Sequence, residues 1–130
     1  MPLWVVDASA AVELLLRTDA GRRAAGVLRG ATVAAPAHLD AEVLSALGRQ
    51  VQAGELPEPD VPPLLATLAR APFTRYPLPP LLAGAWDLRA NLALRDALYV
   101  LLALRLGAAL LTSDARLARA PGLEIAVTVV

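Results

Sequence analysis

Short apolar runs recur along the chain, and each is separated from the next by a longer stretch with helical spacing of its apolar positions. The first run, Leu3-Trp4-Val5-Val6, is followed at once by the charged residue Asp7. An apolar run of roughly four to eight residues that ends at a polar or turn residue is typical of a buried strand. The pattern therefore predicts five strands, at residues 3–6, 32–35, 73–76, 109–112 and 124–130.

The stretches between these runs have apolar residues every three or four positions, which is the spacing of a helix with one buried face. In one of them Leu39, Val43 and Leu47 fall on the same face. Asp19 is expected to cap the second helix, which Gly30 ends. The predicted helices are 8–17, 19–28, 37–53, one that follows the proline-rich segment 56–63 and ends near 71, then 81–92, 94–106 and 114–120.

Strands that alternate with helices along a chain predict a parallel sheet with helices on its faces. A length of 130 residues is that of one ordinary domain, and we find no repeat, linker or low-complexity segment that would divide it. The sequence therefore predicts one α/β domain over residues 1–130.

The apolar share of 57% is enough to fill a core and excludes disorder as the main state. The longest unbroken apolar run covers 97–104, far short of the roughly 20 residues that span a bilayer. No basic segment precedes the first apolar residues, so a signal peptide is not expected. We therefore expect a cytoplasmic protein with no membrane contact.

The set of ionisable residues narrows the chemistry that this chain can perform. All twelve basic residues are arginine, cysteine is absent, and His38, which we interpret as structural, is the one histidine. P-loop and Schiff-base lysine chemistry, thiolate metal sites, cysteine nucleophiles and paired histidines are thereby excluded. The net charge of zero gives no overall basic signature for nucleic acid. Any catalysis must therefore depend on carboxylates.

Four acidic residues fall where parallel α/β proteins bind ligands, beyond the carboxyl ends of the strands. Asp7 directly follows the first predicted strand, and Asp114 comes two residues after Thr112, which ends another. Glu42 borders the apolar face of its helix, and Asp96 stands near the start of the most hydrophobic helix. A carboxylate beside such an apolar surface is costly unless a partner compensates it.

Each acid alone has an ordinary structural explanation. Asp7 and Asp114 can cap the helices that follow them, Asp96 can face its helix dipole, and Glu42 can be a surface residue. Four acids at matching places, in a chain without lysine, instead favour one shared site in which divalent cations offset their mutual repulsion. Oxygen-only ligands select hard ions, meaning Mg²⁺ or Mn²⁺.

Four segments of the chain resemble the PIN-domain family and, more narrowly, the VapC toxins of bacterial type II toxin–antitoxin pairs. They are Val5-Val6-Asp7-Ala8-Ser9-Ala10, His38-Leu39-Asp40-Ala41-Glu42-Val43, Asp96-Ala97-Leu98-Tyr99 and Leu110-Leu111-Thr112-Ser113-Asp114-Ala115-Arg116-Leu117. They occur in the family's order, and the resemblance covers the whole chain. It implies a central parallel sheet of four or five strands flanked by helices. Leu94-Arg95 departs from the small polar or aromatic pair of many relatives, which leaves substrate contacts there open.

The resemblance further implies a Mg²⁺-dependent ribonuclease site, with Mn²⁺ as a substitute, that cleaves RNA through an activated water. Its acids are Asp7, Glu42, Asp96 and Asp114. The three aspartates would be the direct ligands, and Glu42 would hold a water molecule or a second ion.

Two further groups of residues are candidates for this site. Ser9, Thr112 and Ser113 would orient the carboxylates, although capping and turn chemistry explains them equally well. Arg95, Arg116 and Arg119 would contact RNA phosphates, with solvated surface arginines as the alternative.

VapC-like toxins imply two partners besides RNA, namely a VapB-like antitoxin over the acidic site and the early helices, and a second copy in a homodimer. The high apolar share also predicts exposed apolar patches, which often mark interfaces. Candidate surfaces are the helix face 43–51, the helix segment 64–68 and the last-strand residues Val127, Val129 and Val130. A monomer whose alanines pack its helices closely is the alternative.

Two other functional classes stay open at this point. A haloacid-dehalogenase-like phosphatase also begins with an aspartate at a strand end, but it has Asp-x-Asp where this chain has Asp7-Ala8-Ser9, and it needs a lysine. A non-catalytic binding module of the PIN-like fold would keep the acids without turnover.

Overall fold

Five short strands form a single sheet in the computed structural model of the chain, which describes residues 2–130. Met1, the first residue of the predicted domain, lies outside the described residues. The strands are β1 (Leu3–Val6), β2 (Thr32–Pro36), β3 (Phe73–Tyr76), β4 (Ala109–Thr112) and β5 (Val127–Val129). All neighbouring strands run parallel, so the predicted α/β class with a parallel sheet is confirmed.

The strand order across the sheet is β3-β2-β1-β4-β5. The chain builds outward from β1 through β2 to β3, and then crosses back to add β4 and β5 on the other side. The order thus reverses between β1 and β4, where Val6 lies beside Leu111. In open parallel sheets, ligands bind beyond the carboxyl ends of the strands at such a reversal.

Seven α-helices lie between the strands within residues 2–130. They are α1 (Ala8–Leu16), α2 (Asp19–Leu28), α3 (Leu39–Gln52), α4 (Val61–Arg70), α5 (Leu82–Asp87), α6 (Leu94–Leu106) and α7 (Ala115–Ala118). None of them has the length and apolar character needed to cross a bilayer.

Several predicted boundaries are wrong, each for a local reason. The cap of α2 is Thr18, whose hydroxyl accepts the Gly21 N–H at 3.0 Å, while Asp19 already belongs to the helix. The helix predicted at 81–92 contains only the six residues of α5. Pro36 belongs to β2, and Pro62 lies in the first turn of α4, where a missing N–H costs no hydrogen bond. The last strand is shorter than predicted because its partner β4 ends at Thr112.

The core lies around β1, β4 and α6. Val5, Val6, Leu110 and Leu111 have no exposed surface, and Tyr99 of α6 is 1% exposed. The two strands that lead to the candidate acids are therefore closely packed within the core.

The α3 face expected to form an interface belongs to this core instead, because Val43 and Leu47 have no exposed surface. Val129 of the last strand does remain exposed. The large exposed apolar residues are Leu44, Leu82, Trp86, Leu94, Leu104 and Val129.

Candidate active site

Asp7 and Asp114 follow the two central strands at their carboxyl ends. The Asp7 N–H donates to the Leu111 carbonyl of β4 at 3.2 Å, which ties the end of β1 to its neighbour. Both side chains also cap helices, since Asp7 Oδ1 accepts the Ala10 N–H at 3.0 Å and Asp114 Oδ1 accepts the Arg116 N–H at 2.9 Å. The capping explanation therefore holds for both residues, and it coexists with their place at the ligand-binding edge.

Two hydroxyl groups hold the Asp7 carboxylate in one orientation. Ser9 Oγ donates to Oδ1 at 2.7 Å, and Thr112 Oγ1 donates to Oδ2 at 2.5 Å. The same hydroxyl oxygens accept the backbone N–H groups of Ser113 at 2.9 Å and Asp114 at 3.0 Å. Thr112 is fully buried, so packing fixes this network. Ser113 takes part through its backbone N–H, and within residues 2–130 its side chain makes no hydrogen bond to the carboxylates.

Burial raises the pKa of Asp7, which is only 5% exposed, because the charged form loses its hydration. The hydrogen bonds from the two hydroxyls and the backbone act in the opposite direction on this pKa. The nearby negative charge of Asp96 raises it further. Proton loss from Asp7 is therefore harder than from an ordinary aspartate.

Asp96 lies in the first turn of α6, and its side chain accepts no hydrogen bond from another residue of 2–130. Burial raises its pKa, and the negative charges of Asp114 and Glu42 add to the rise. The charge of Asp96 in turn raises the pKa of Asp7, so charge effects link Asp96 to each of the other acids. Asp96 is therefore the acid whose charge interactions connect Asp7 with Glu42 and Asp114.

Glu42 lies in the first turn of α3 and is held by three side chains. Tyr99 Oη donates to its Oε1 at 2.6 Å, and His38 Nε2 lies 3.4 Å from the same oxygen. Arg95 Nη1 lies 3.3 Å from Oε2, so this arginine, predicted to contact RNA, also neutralises an acid of the site.

Asp114 has a different environment, because its partners are arginines in solvent. Arg116 Nε and Nη2 donate to its two carboxylate oxygens, each at 3.2 Å. This pairing lowers the pKa of Asp114, and the charge of Arg119 adds to the effect without a hydrogen bond. Arg116 is highly exposed, so the pair can open at little cost.

The chemistry of these donors fits a hard divalent cation, since all four are carboxylates. A cation among them would relieve the repulsion that raises the pKa of Asp96. Within residues 2–130, however, no three acidic or histidine side chains already stand in a metal-holding arrangement. The carboxylates of Asp7, Glu42 and Asp114 are turned to hydroxyl, phenol or guanidinium donors instead. Their convergence on one ion stays a prediction.

Sequence reasoning assigned no role in this site to Tyr99 or His38. The signals are present in the spacing, because Tyr99 is three residues after Asp96 and His38 is four residues before Glu42. Side chains three or four residues apart share one face of a helix. What the sequence does not give is that these two helices face each other.

Two cavities flank α1. One of about 600 Å³ lies between α1 and α3 beside the acids, and its lining includes Ser9, His38, Glu42, Arg95 and Ser113. The other, of about 950 Å³, is a mainly apolar groove away from the acids. We call it the α1–α4 groove; its lining includes Leu14, Leu15, Leu28, Leu64, Thr67 and Leu68.

The sequence profile of the PIN domain matches residues 4–123. The chain is 54% identical to Ribonuclease VapC3 of Mycobacterium tuberculosis over 117 residues, which cover 89% of this chain and 85% of that protein. It is 42% identical to Ribonuclease VapC12 of the same organism over 118 residues, or 91% and 92% of the two chains.

The fold is also similar to that in the solved structure of VapBC2 from Rickettsia felis bound to a DNA fragment from its promoter. The TM-score is 0.64 at 13% identity, over 97% of both chains, so this likeness concerns the fold alone. The profile match and the identity to the VapC ribonucleases exclude the phosphatase alternative and confirm the resemblance that the four segments indicate. This chain belongs to the PIN-domain family.

Proposed function

We propose that this protein is a divalent-cation-dependent endoribonuclease and the toxin of a VapBC-type toxin–antitoxin pair. The observation that carries the proposal is the placement of four acids around the ends of β1 and β4, where the charges of Asp114 and Glu42 act on Asp96 and that of Asp96 acts on Asp7. The names of the relatives, Ribonuclease VapC3 and Ribonuclease VapC12, support RNA as the substrate.

In this proposal the three aspartates Asp7, Asp96 and Asp114 would hold the cation, and Glu42 would hold a water molecule or a second ion. When bound, such a cation lowers the pKa of water and stabilises negative charge on the leaving oxygen of the phosphodiester. Ser9 and Thr112 keep the buried Asp7 carboxylate pointed in one direction.

The arginines beside the acids supply the substrate contacts in this proposal. Arg95, Arg116 and Arg119 are all exposed and lie next to the acids in the chain or in space. A phosphate that approaches Arg116 competes with Asp114 for its guanidinium, so RNA binding frees a carboxylate for the cation. Mg²⁺ is the expected ion, because oxygen donors alone do not select softer metals, and Mn²⁺ is the expected substitute.

The test is incubation of the purified protein with mixed RNA in the presence of EDTA, Mg²⁺ or Mn²⁺. We expect cleavage with either ion and none with EDTA. Asp7→Asn should be inactive under all conditions, while Asp60→Asn, a substitution of an exposed acid outside the site, should cleave like the parent. Absence of cleavage with every ion would instead favour the non-catalytic binding module.

We also propose that a VapB-like antitoxin binds this protein, with its apolar segment in the α1–α4 groove. The groove is the larger of the two flanking cavities, and α1, which forms part of its wall, begins directly after Asp7. A segment seated there therefore needs to extend only along α1 to reach the acids. The VapBC2 complex among the similar folds supports a partner of this kind.

Co-expression with the neighbouring small open reading frame tests this partner. We expect a stable complex that does not cleave RNA. Thr67→Arg places a long charged side chain at the rim of the groove and should weaken the complex, whereas Thr74→Arg, on an exposed strand position outside the groove, should not. An unchanged complex with Thr67→Arg would place the antitoxin elsewhere.

A homodimer is the third part of the proposal. Leu82 and Trp86 lie one turn apart on α5 and are 55% and 56% exposed, which makes them the most exposed large apolar pair. Sedimentation at micromolar concentration should show a dimer that Trp86→Arg dissociates and Leu104→Arg, on another helix, does not. A monomeric parent protein would contradict the homodimer.

A further inference from the structure

The Glu42 carboxylate, on α3, is contacted by two side chains of another helix, Tyr99 and Arg95 of α6. Tyr99 of α6 donates its hydroxyl to Glu42 Oε1 at 2.6 Å, and Tyr99 is 1% exposed. Because close packing restricts the conformation of a buried phenol, its hydrogen bond fixes the position of the oxygen that accepts it. The position of Glu42 is thus set partly by the packing of α6.

His38 reaches the same carboxylate oxygen from the other side. Its Nε2 lies 3.4 Å from Glu42 Oε1 and 3.2 Å from the backbone carbonyl oxygen of Arg95. Both of these groups can only accept a hydrogen, so Nε2 must carry one. The other ring nitrogen, Nδ1, is buried and has no hydrogen-bond partner within residues 2–130. The Nε2–H therefore donates to the Arg95 carbonyl, and Glu42 Oε1 lies beside it.

The two rings also hold each other. The centroids of His38 and Tyr99 are 4.6 Å apart, with the ring planes inclined by 39°. Tyr99 thus donates to Oε1 with the His38 ring beside the same oxygen, and within residues 2–130 the ion-pair partner of Oε2 is the exposed Arg95.

We infer that His38 and Tyr99 are positioning residues, which fix Glu42 so that its Oε2 is the oxygen presented to the cation or to its water. The inference deepens the proposed function and rests on it. His38 is thereby more than the structural residue that its isolation in the sequence indicates.

Tyr99→Phe removes only the hydroxyl and tests the inference. The primary measurement is the affinity of the RNA-free protein for Mn²⁺, by electron paramagnetic resonance titration, which does not depend on activity. We expect an affinity about tenfold weaker, within the roughly 10- to 100-fold range for outer partners of a ligand. In cleavage assays the Mg²⁺ concentration at half-maximal rate should rise similarly, while the KM for RNA stays unchanged.

Tyr76→Phe is the matched control, because the Tyr76 hydroxyl makes no hydrogen bond within residues 2–130 and the residue lies on β3. Circular dichroism melts without metal show whether each variant folds. If Tyr99→Phe is folded and binds Mn²⁺ like the parent, the inference is wrong, although the proposed function stands. If the parent neither binds Mn²⁺ nor cleaves RNA, the proposed function fails as well.

A pair of substitutions at His38 tests whether its ring nitrogen helps to position Glu42, and this test stands even if the tyrosine variant is unstable. Gln can place an N–H near the position of Nε2, whereas Leu fills similar space with no donor. We expect His38→Leu to weaken Mn²⁺ binding and His38→Gln to restore most of it, with similar melting temperatures. Equal affinity in the two variants would show that the ring acts only through packing.

Discussion

Asp7 and Asp114 occupy equivalent places after neighbouring parallel strands, yet their environments are opposite. Asp7 is 5% exposed and receives hydrogen bonds from two hydroxyls and a backbone N–H, while Asp114 is paired with an exposed arginine. Burial raises the pKa of Asp7, and the pairing with Arg116 lowers the pKa of Asp114. The candidate site thus has a buried side, built around Asp7, and a solvent side, built around Asp114.

The difference teaches where rigidity in this site comes from. The buried side depends on Thr112, whose hydroxyl donates to Asp7 and accepts the Asp114 N–H, and which packing holds in place. The solvent side depends on an ion pair that water and salt weaken. We therefore expect substitutions on the buried side to have large effects and those on the solvent side small ones.

The largest effect is expected for Asp7→Asn. The change is nearly isosteric and removes one ligand charge, so metal-dependent RNA cleavage should fall by more than about a hundredfold, beyond the range for residues that only orient a ligand. The fold should survive, because the variant no longer buries a charge. Cleavage rate and circular dichroism measure the two parts, with Asp96→Asn as the second test. If both variants cut RNA as fast as the parent, the assignment of the acids is wrong.

Thr112→Val tests whether the buried side is held by the hydroxyl. The shape is kept, but the hydrogen bond to Asp7 and the acceptor for the Asp114 N–H are both lost. We expect a loss of about 1–3 kcal/mol in unfolding free energy and a Mn²⁺ affinity about tenfold weaker. Thr128→Val on β5, whose side chain makes no hydrogen bond within residues 2–130, is the control. Equal effects of the two variants in chemical denaturation and Mn²⁺ titration would contradict the comparison.

The two sides should also differ in the sign of their pH dependence, measured by melting in EDTA. The folded pKa of Asp7 is raised above 3.8, so its ionisation costs stability as pH rises through that value and costs none well below 3.8. The stability of Asp7→Asn relative to the parent should therefore increase as pH rises. The pKa of Asp114 is lowered, so its contribution is present above 3.8 and is lost as pH falls through the folded value. Asp114→Asn should be less stable than the parent only at the higher pH. The same sign for both variants would refute the contrast.

Much of this architecture can be predicted from the sequence, because β1 and β4 are short apolar runs, and each is followed within two residues by an aspartate, Asp7 or Asp114. Helix α6 was predictable to the residue, since the unbroken apolar run 97–104 lies within it and Gly107 follows its last residue. The helix predicted at 81–92 fails because apolar spacing alone does not tell a short helix from the turns that follow it.

The contacts within the site were less predictable than the positions of its acids. That Tyr99 reaches Glu42 depends on how α6 lies across α3, which no local pattern encodes. The interface predicted on α3 fails for the same reason, because a helix face rich in apolar residues looks identical whether a core or a partner covers it. Val43 and Leu47 are covered by the core.

The smallest effect is expected for Arg116→Gln, on the solvent side. The side chain contributes one phosphate contact in the proposed complex, so the KM for RNA should rise about two- to threefold, and its dependence on salt should weaken by about 0.7 in log–log slope. The melting temperature should fall only slightly, and only above pH 3.8, because the ion pair with Asp114 is exposed. Loss of the pair also frees Asp114 Oδ2, while Oδ1 still accepts the backbone N–H of residue 116, so Mn²⁺ binding should be unchanged or tighter, the opposite of the result for Thr112→Val. Arg119→Gln removes the same charge from a residue that makes no hydrogen bond to Asp114, which separates the contact from the charge. If Arg116→Gln weakens Mn²⁺ binding as much as Thr112→Val does, the two sides are equally rigid, and burial does not decide which carboxylates the protein holds in place.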